Sequence, residues 1–235
     1  MDIKLLLRKY KTHLLCVVFI TIFILAYFNY NKKVPFPPTL VINLDDRPDR
    51  FKEVAAEFQD WPMPIERISA VKKSPGYKGC FLSHIKCIRT AKERGYPWVL
   101  IVEDDCMLEK GAKEKFQKLL PYLWDNRDKW DTFNGGVTLI KSNKVINREK
   151  KMLEVKAYGT HFYLANANTY DKILSRADEY ISKPIDVYYK YTLRLWTAVP
   201  FIAFQRPSHS DIENEHKDYT SLYKKAEATL LKSIK

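Results

Sequence analysis

Residues 98–108 read WVLIVEDDCML, and this stretch decides the fold. Trp98 to Val102 is apolar at every position, with no alternation between faces. A strand of that kind is covered on both sides, as the central strands of α/β sheets are. Three carboxylates, Glu103, Asp104 and Asp105, follow at once. Upstream, TLVINL (39–44) lies between prolines and DDRPD and reads as a second buried strand. Between the two, RFKEVAAEFQ (50–59) sets Phe51, Val54, Ala55 and Phe58 at helical spacing. A weaker strand is predicted at 65–70. GCFLSHIKCIRTAKER (79–94) places Phe81, Ile85, Ile88 and Ala91 on one helical face, and Gly95 stops it. Further helix is predicted at 112–123, 168–180 and, for a turn or two, 186–192. Residues 131–165 read as strands and turns around a basic stretch at 141–156, and 198–204 as a strand. The repeated order of strand and helix predicts the α/β class, with an open, mostly parallel sheet flanked by helices.

The chain has 235 residues, 46% hydrophobic and 29% charged, which is a folding composition for one domain with an appendage. Four cysteines are too few for a disulfide scaffold, and none has metal-ligand spacing such as C-x-x-C. The net charge of +12 suits nucleic acid, anionic lipid or a phosphorylated small molecule. Dispersed lysines and the lack of any nucleic-acid motif argue against the first.

Residues 14–28 (LLCVVFITIFILAYF) form an uncharged run of fifteen, short but admissible beside the about 20 residues of a spanning helix. Lys4, Arg8, Lys9 and Lys11 precede it and favour a cytosolic N-terminus. The exit, AYFNYNKK, lacks the small-residue pattern of a cleaved signal peptide, so a transmembrane anchor is the expectation. The organisation is then a tail and anchor (1–30), a proline-bearing stem (31–38), one α/β domain (39–213) and a C-terminal helical tail (214–235). On that tail helix Leu222, Ala226, Leu230 and Leu231 share one side.

Ligands of open α/β sheets bind outside the carboxyl ends of the strands. Clustered carboxylates there repel one another unless water or a cation relieves them, and Mg²⁺ and Mn²⁺ favour such oxygens and also bind phosphates. A solvated loop that caps the next helix is the plainer alternative. Arg47 and Arg50, after the first strand, suit a pyrophosphate, or equally ion pairs with Asp45, Asp46 or Asp49. Neither G-x-G-x-x-G nor a P-loop occurs, which argues against a dinucleotide dehydrogenase and a P-loop NTPase.

Three segments in order, VINLDDRPDRF (41–51), GYKGCFLSHIKCI (76–88) and WVLIVEDDCML (98–108), resemble glycosyltransferase family 25. GTHFYLANANTYDKIL (159–174), PIDVYY (184–189) and PFIAFQRPSHSDIE (200–213) resemble its later segments more loosely, while WDTFNGG (130–136) departs from the family's more apolar strand. The resemblance implies a GT-A fold, a UDP-sugar donor carrying galactose or glucose, Mn²⁺ or Mg²⁺, and inversion at the anomeric carbon. The acceptor would be a hydroxyl of a glycan, a lipooligosaccharide or other lipid-linked sugar, or a hydroxylysine-type protein side chain. With the anchor and stem it implies a single-pass type II membrane enzyme of the secretory pathway (Golgi or ER), its catalytic domain lumenal.

The roles follow residue by residue. Asp105 is expected to ligate the metal, with Glu103 on the ribose or on a metal-bound water, and with His209 or His161 as a further ligand. Asp104 stands with them at the donor. Asn43, Arg47 and Arg50 are expected to hold the nucleotide, with Ser83 nearby and His84 orienting the loop or touching the donor. Tyr77 is a candidate for stacking on a base or sugar, or a plain rim aromatic. The general base is expected at Asp186, with Asp211 as runner-up; a helix cap is the plainer role for Asp186. Two other classes compete: a metal-dependent nuclease or phosphatase, which needs more acids converging on two metals, and a membrane-anchored, non-catalytic member of the fold.

Overall fold

The structure, a computed structural model, describes residues 17–21, 34–212 and 215–235. The chain divides into two compact units, Met1–Pro35 and Phe36–Lys235. In the first, residues 17–21 are helical; the remainder of the apolar run and its flanking lysines lie outside the described residues. No helix among the described residues is long and apolar enough to cross a membrane. That finding corrects the expectation of a single-pass type II membrane protein anchored by an N-terminal transmembrane helix.

The second unit is built on an eight-stranded sheet with strand order β2-β1-β3-β8-β5-β9-β7-β6. Its first strands are β1 (Thr39–Asn43), β2 (Ile65–Ser69) and β3 (Trp98–Glu103), with β1 parallel to both neighbours. The helices α1 (Pro48–Glu57) and α2 (Gly76–Glu93) make the crossovers. Both β1 and the apolar part of β3 are buried along their whole length, as continuous apolar runs require. After the short β4 (Cys106–Leu108) and α3 (Ala112–Asp125), the chain forms β5 (Thr132–Asn134), β6 (Thr138–Asn147), β7 (Met152–Tyr158) and β8 (Phe162–Asn166). From β8 onward pairing is largely antiparallel: β8 runs against β3 and β5, and β7 against β6 and against β9 (Leu195–Ala198). The sheet is therefore mixed, and its parallel half holds β1, β2 and β3.

Alternation along each strand supplies two different cores. One face carries Leu40, Ile42, Val99, Ile101 and Tyr163. These pack with α2 and with α4 (Ala167–Ser175) and α6 (Ile185–Thr192), which follow β8 on either side of the one-turn α5 (Ala177–Tyr180). The opposite face carries an aromatic cluster in which Phe116 of α3 meets Phe36, Trp61 and Phe162 at centroid distances of 5.4 to 5.9 Å.

Two sequence expectations change here. The strand predicted over 198–204 is split: β9 ends at Ala198, and β10 (Ala203–Gln205) pairs instead with β4 in a separate ribbon. Pro200 lacks the N–H that a continuing ladder needs. The basic stretch 141–156 lies in the β6–β7 hairpin, its lysines on the outward side. The tail helix, α7 (Thr220–Ile234), belongs to the same unit and buries Tyr223, Ala226 and Leu230 in the first core. A small ribbon of β11 (Ser208–Ser210) and β12 (Glu215–Lys217) precedes it.

Candidate active site

The carboxyl ends of β1, β2 and β3 open onto a cavity of about 500 Å³. Asn43, Arg47, Arg50, Ser83, His84, Glu103, Asp104, Asp105 and Asp211 all line it. The sequence reading missed four further parts of its wall: Lys72 and Lys73 after β2, Cys80 in α2, Gln205 and Arg206 at the end of β10, and Lys217 with Tyr219 before α7. The two lysines follow a strand end and were open to the same strand-end rule. Nothing in the residue types of Gln205 or Tyr219 marks them.

The G-C-x-x-S-H segment acts first as a bracket. Gly79 packs against the 71–73 loop so closely that an added Cβ would lie 2.3 Å from the Val71 carbonyl oxygen. Ser83 accepts from the Val71 N–H at 2.8 Å and donates to the Gly79 carbonyl at 2.7 Å. His84, fully buried, sets Nδ1 3.1 Å from the Tyr163 hydroxyl and Nε2 3.3 Å from Glu103 Oε1. Thr160 donates to the same Glu103 oxygen at 2.7 Å. Burial pushes the Glu103 carboxyl up, but the bonds and charge from His84, and Thr160, outweigh it and leave Glu103 below its ordinary value. Tyr77, two residues before Gly79, does not line the cavity.

The arginines divide their work differently from the expectation. Arg50 is buried, donating to Asp104 at 3.2 Å, to Ser208 Oγ at 3.0 Å and to the His209 carbonyl. It ties the acidic loop to β11. Asn43 is likewise saturated: Nδ2 donates to Asp104 and to the Arg47 carbonyl, both at 2.8 Å, and Oδ1 accepts from Arg67. Burial still raises the Asp104 carboxyl, against the pull of Asn43 and Arg50. Arg47 pairs with Asp211 at 2.5 Å and with Asp49 at 2.9 Å. Lys72 pairs with Asp46, whereas Lys73 is exposed on the wall and has no ion-pair partner among the described residues.

Asp105 is the group left incomplete. Its Oδ2 accepts from Gln205 Nε2 at 3.2 Å, while Oδ1 is buried and has no hydrogen-bond partner among the described residues. Burial first, then the charges of Glu103 and Asp104, push its pKa up to about 8. A bare buried carboxylate oxygen beside two other acids fits a divalent cation, which would supply both the missing contact and the missing charge. No three His, Cys, Asp or Glu side chains among the described residues are arranged to hold a metal on their own. The multi-acid centre that a two-metal nuclease requires is thus not found there.

Three expected positions stand apart from this cavity. The His209 side chain is exposed on β11 and does not line the cavity, while its carbonyl accepts from Arg50. His161 is buried, its Nδ1 2.9 Å from the Tyr223 hydroxyl; burial pulls its pKa down to about 4. Asp186 lies in the first turn of α6, where its carboxylate accepts from the Val187 N–H at 2.7 Å. It does not line the cavity, but it lies behind that wall, near enough for its charge to raise the Cys80 thiol. Burial raises the Asp186 carboxyl, with Glu103 adding to the effect.

A family model described as "Glycosyltransferase family 25 (LPS biosynthesis protein)" matches residues 74–189. The chain belongs to glycosyltransferase family 25. This family 25 chain is 28% identical over 166 residues to "Lacto-N-neotetraose biosynthesis glycosyltransferase LgtE" of Neisseria meningitidis serogroup B, a match covering 58% of this chain and 59% of that protein. It is 27% identical over 149 residues to "Inactive glycosyltransferase 25 family member 3" of Homo sapiens, covering 51% of this chain and 24% of that one. The chain thus spans well under two thirds of either relative. Among solved structures it is similar in fold to A197 from STIV, with a TM-score of 0.50 at 13% identity over 72% of this chain and 85% of that one.

Proposed function

We propose that this family 25 chain transfers a hexose, galactose or glucose, from a UDP-sugar to an acceptor hydroxyl, with inversion, on a GT-A-like scaffold. The observation that carries the reading is Asp105: a carboxylate with a buried oxygen that has no hydrogen-bond partner among the described residues, in the strand-end cavity that Lys73 also lines. Asp105 would hold Mn²⁺ or Mg²⁺, with diphosphate oxygens and water completing the coordination. The bound cation would neutralise the charge that develops on the leaving diphosphate. Lys73 is placed to share that work as a point charge, since Arg47 and Arg50 are already engaged by carboxylates. Glu103, oriented by His84 and Thr160, is positioned to accept a hydrogen bond from a ribose hydroxyl or from a metal-bound water.

Inversion requires a base that takes the acceptor's proton as its oxygen attacks C1. We assign this role to Asp186 on its proton affinity, although it lies behind the cavity wall and not in its lining. Burial raises its proton affinity, which suits a base, whereas Asp211 has Oδ2 clamped by Arg47 and Arg50. The relative named for lacto-N-neotetraose biosynthesis supports a glycan hydroxyl as acceptor; a protein hydroxyl has no comparable support.

The test is UDP release from a panel of UDP-sugars by the full chain, with Mn²⁺ and with chelator. Release from one sugar that chelator abolishes is the expected result. Silence on every donor, together with no UDP binding in the presence of Mn²⁺, would place the chain with non-catalytic relatives such as the human one named above.

A further inference from the structure

Helix α7 reaches the acidic cluster through one side chain. Tyr223 is 4% exposed, and its hydroxyl donates to Gln205 Oε1 at 3.0 Å while lying 2.9 Å from His161 Nδ1. Gln205 Nε2 in turn donates to Asp105 Oδ2 at 3.2 Å. The polarity of this series is fixed once Asp105 is ionised, as a cation ligand is. An ionised Asp105 only accepts, so Gln205 then turns its NH₂ toward Asp105, as Nε2 lies, and its carbonyl toward Tyr223. The hydroxyl has a single proton and gives it to that carbonyl, so it accepts from His161 Nδ1–H. His161 Nε2 has no hydrogen-bond partner among the described residues.

The backbone around the series is equally fixed. The Ile202 N–H donates to the Gly135 carbonyl at 2.6 Å, and a Cβ on Gly136 would lie 2.1 Å from the Ala203 carbonyl oxygen. The strand bearing Gln205 is thereby seated directly on the glycine pair. The side-chain amide alone keeps a free rotation, by which its oxygen could face Asp105 instead. Two oxygens with partial or full negative charge would then meet, and Asp105 would turn away.

We infer that Tyr223 is a positioning residue for the acidic cluster: its hydroxyl holds the Gln205 amide with an N–H on Asp105 Oδ2, so that Oδ1 is the oxygen left bare for a ligand. The inference rests on the reading of Asp105 as the cation-binding carboxylate. It places part of the site's construction outside residues 74–189, in a helix that the family model does not match.

The test uses the full chain as wild type, Tyr223→Phe, Gln205→Leu and the double variant. Without cation, at pH 9 where Asp105 is ionised, ¹⁵N spectra report the Gln205 side-chain amide. In Tyr223→Phe its NH₂ pair should move toward the free-amide position and exchange faster, with the thermal midpoint nearly retained because the ring stays buried. With Mn²⁺, calorimetry should find UDP bound roughly five- to tenfold more weakly, the effect of one lost hydrogen bond. The double variant should bind no more weakly than Gln205→Leu alone. Unmoved Gln205 signals in Tyr223→Phe, or binding losses that add in the double variant, overturn the proposal. If Tyr223→Phe moves the Gln205 amide but the wild type binds no UDP, the positioning stands and the donor reading falls. Should Tyr223→Phe fail to fold, Gln205→Met decides: weakened binding at an unchanged thermal midpoint supports the proposal, and unchanged affinity overturns it.

Discussion

Replacing Asp105 by Asn tests the incomplete carboxylate most directly, because the effect has a sign as well as a size. In the cation-free protein this group titrates near 8, against an ordinary value of 3.8. Between those values the folded chain holds a proton that the unfolded chain has released. Stability therefore falls as pH rises through this window, by about 1.4 kcal/mol per unit, and levels off above pH 8. Across the window the cost amounts to at most about 5 kcal/mol. Asn cannot ionise, and it keeps an acceptor for Gln205. Asp105→Asn should therefore be the more stable protein at pH 8 in chelator, by about 2–5 kcal/mol once a new side-chain bond is allowed for. For a unit of this size that corresponds to a rise in Tm of roughly 5–15 °C. The assay is denaturant or thermal unfolding of both proteins from pH 5 to pH 9, with chelator and then with Mn²⁺. Mn²⁺ should stabilise the wild type most at high pH and leave the variant unmoved. Parallel pH profiles in chelator would refute the reasoning, since Asp105 would then not be the unpartnered acid.

Gly79→Ala should cost about 1–3 kcal/mol in urea unfolding, because its Cβ would meet the Val71 carbonyl oxygen at 2.3 Å and displace the 71–73 loop. Lys73→Ala should leave Tm unchanged while weakening UDP binding in a salt-dependent way; affinity equal to wild type at low salt would remove Lys73 from the donor site. Asp186→Asn should abolish most transfer to acceptor with UDP affinity within about twofold of wild type, and full transfer would move the base elsewhere. Arg50→Ala should cost about 3–5 kcal/mol, because it strands Asp104 and frees β11; a loss under about 1 kcal/mol would mean the pair is not buried as described.

The parallel half of the fold was legible because its signals are local. Continuous apolar runs gave β1 and β3, and the Phe81, Ile85, Ile88, Ala91 spacing gave α2, whose buried face those residues form. The β6–β7 hairpin was obscured by β6, whose run through Lys141 and Lys144 is exposed, although on β7 Leu153, Val155 and Ala157 face the core in alternation with Glu154 and Lys156. The tail helix was read as a helix, but Tyr223, not Leu222, takes the buried position beside Ala226 and Leu230. The acidic triplet was visible as a candidate site. The pairings that distinguish its members were not, since Arg50 and Asp104 are 54 residues apart and Gln205 and Asp105 are 100 apart. Burial and distance, which set those pairings, belong to tertiary structure alone. The membrane expectation rested on hydropathy over a run of which only residues 17–21 are described.

Arg50 has a consequence for how this molecule can change over time. From helix α1 it fastens the acidic loop after β3 to a ribbon near the end of the chain, and all three partners, Arg50, Asp104 and Ser208, line the cavity. Much of the rim is contributed by 205–219, which no strand of the large sheet includes. Exchange of that ribbon for another sequence, with Arg50 kept, would alter the ligand's surroundings without repacking either core. The large sheet thus supplies the scaffold from near the start of the chain onward, while the part of the rim that can change without it is the single segment 205–219.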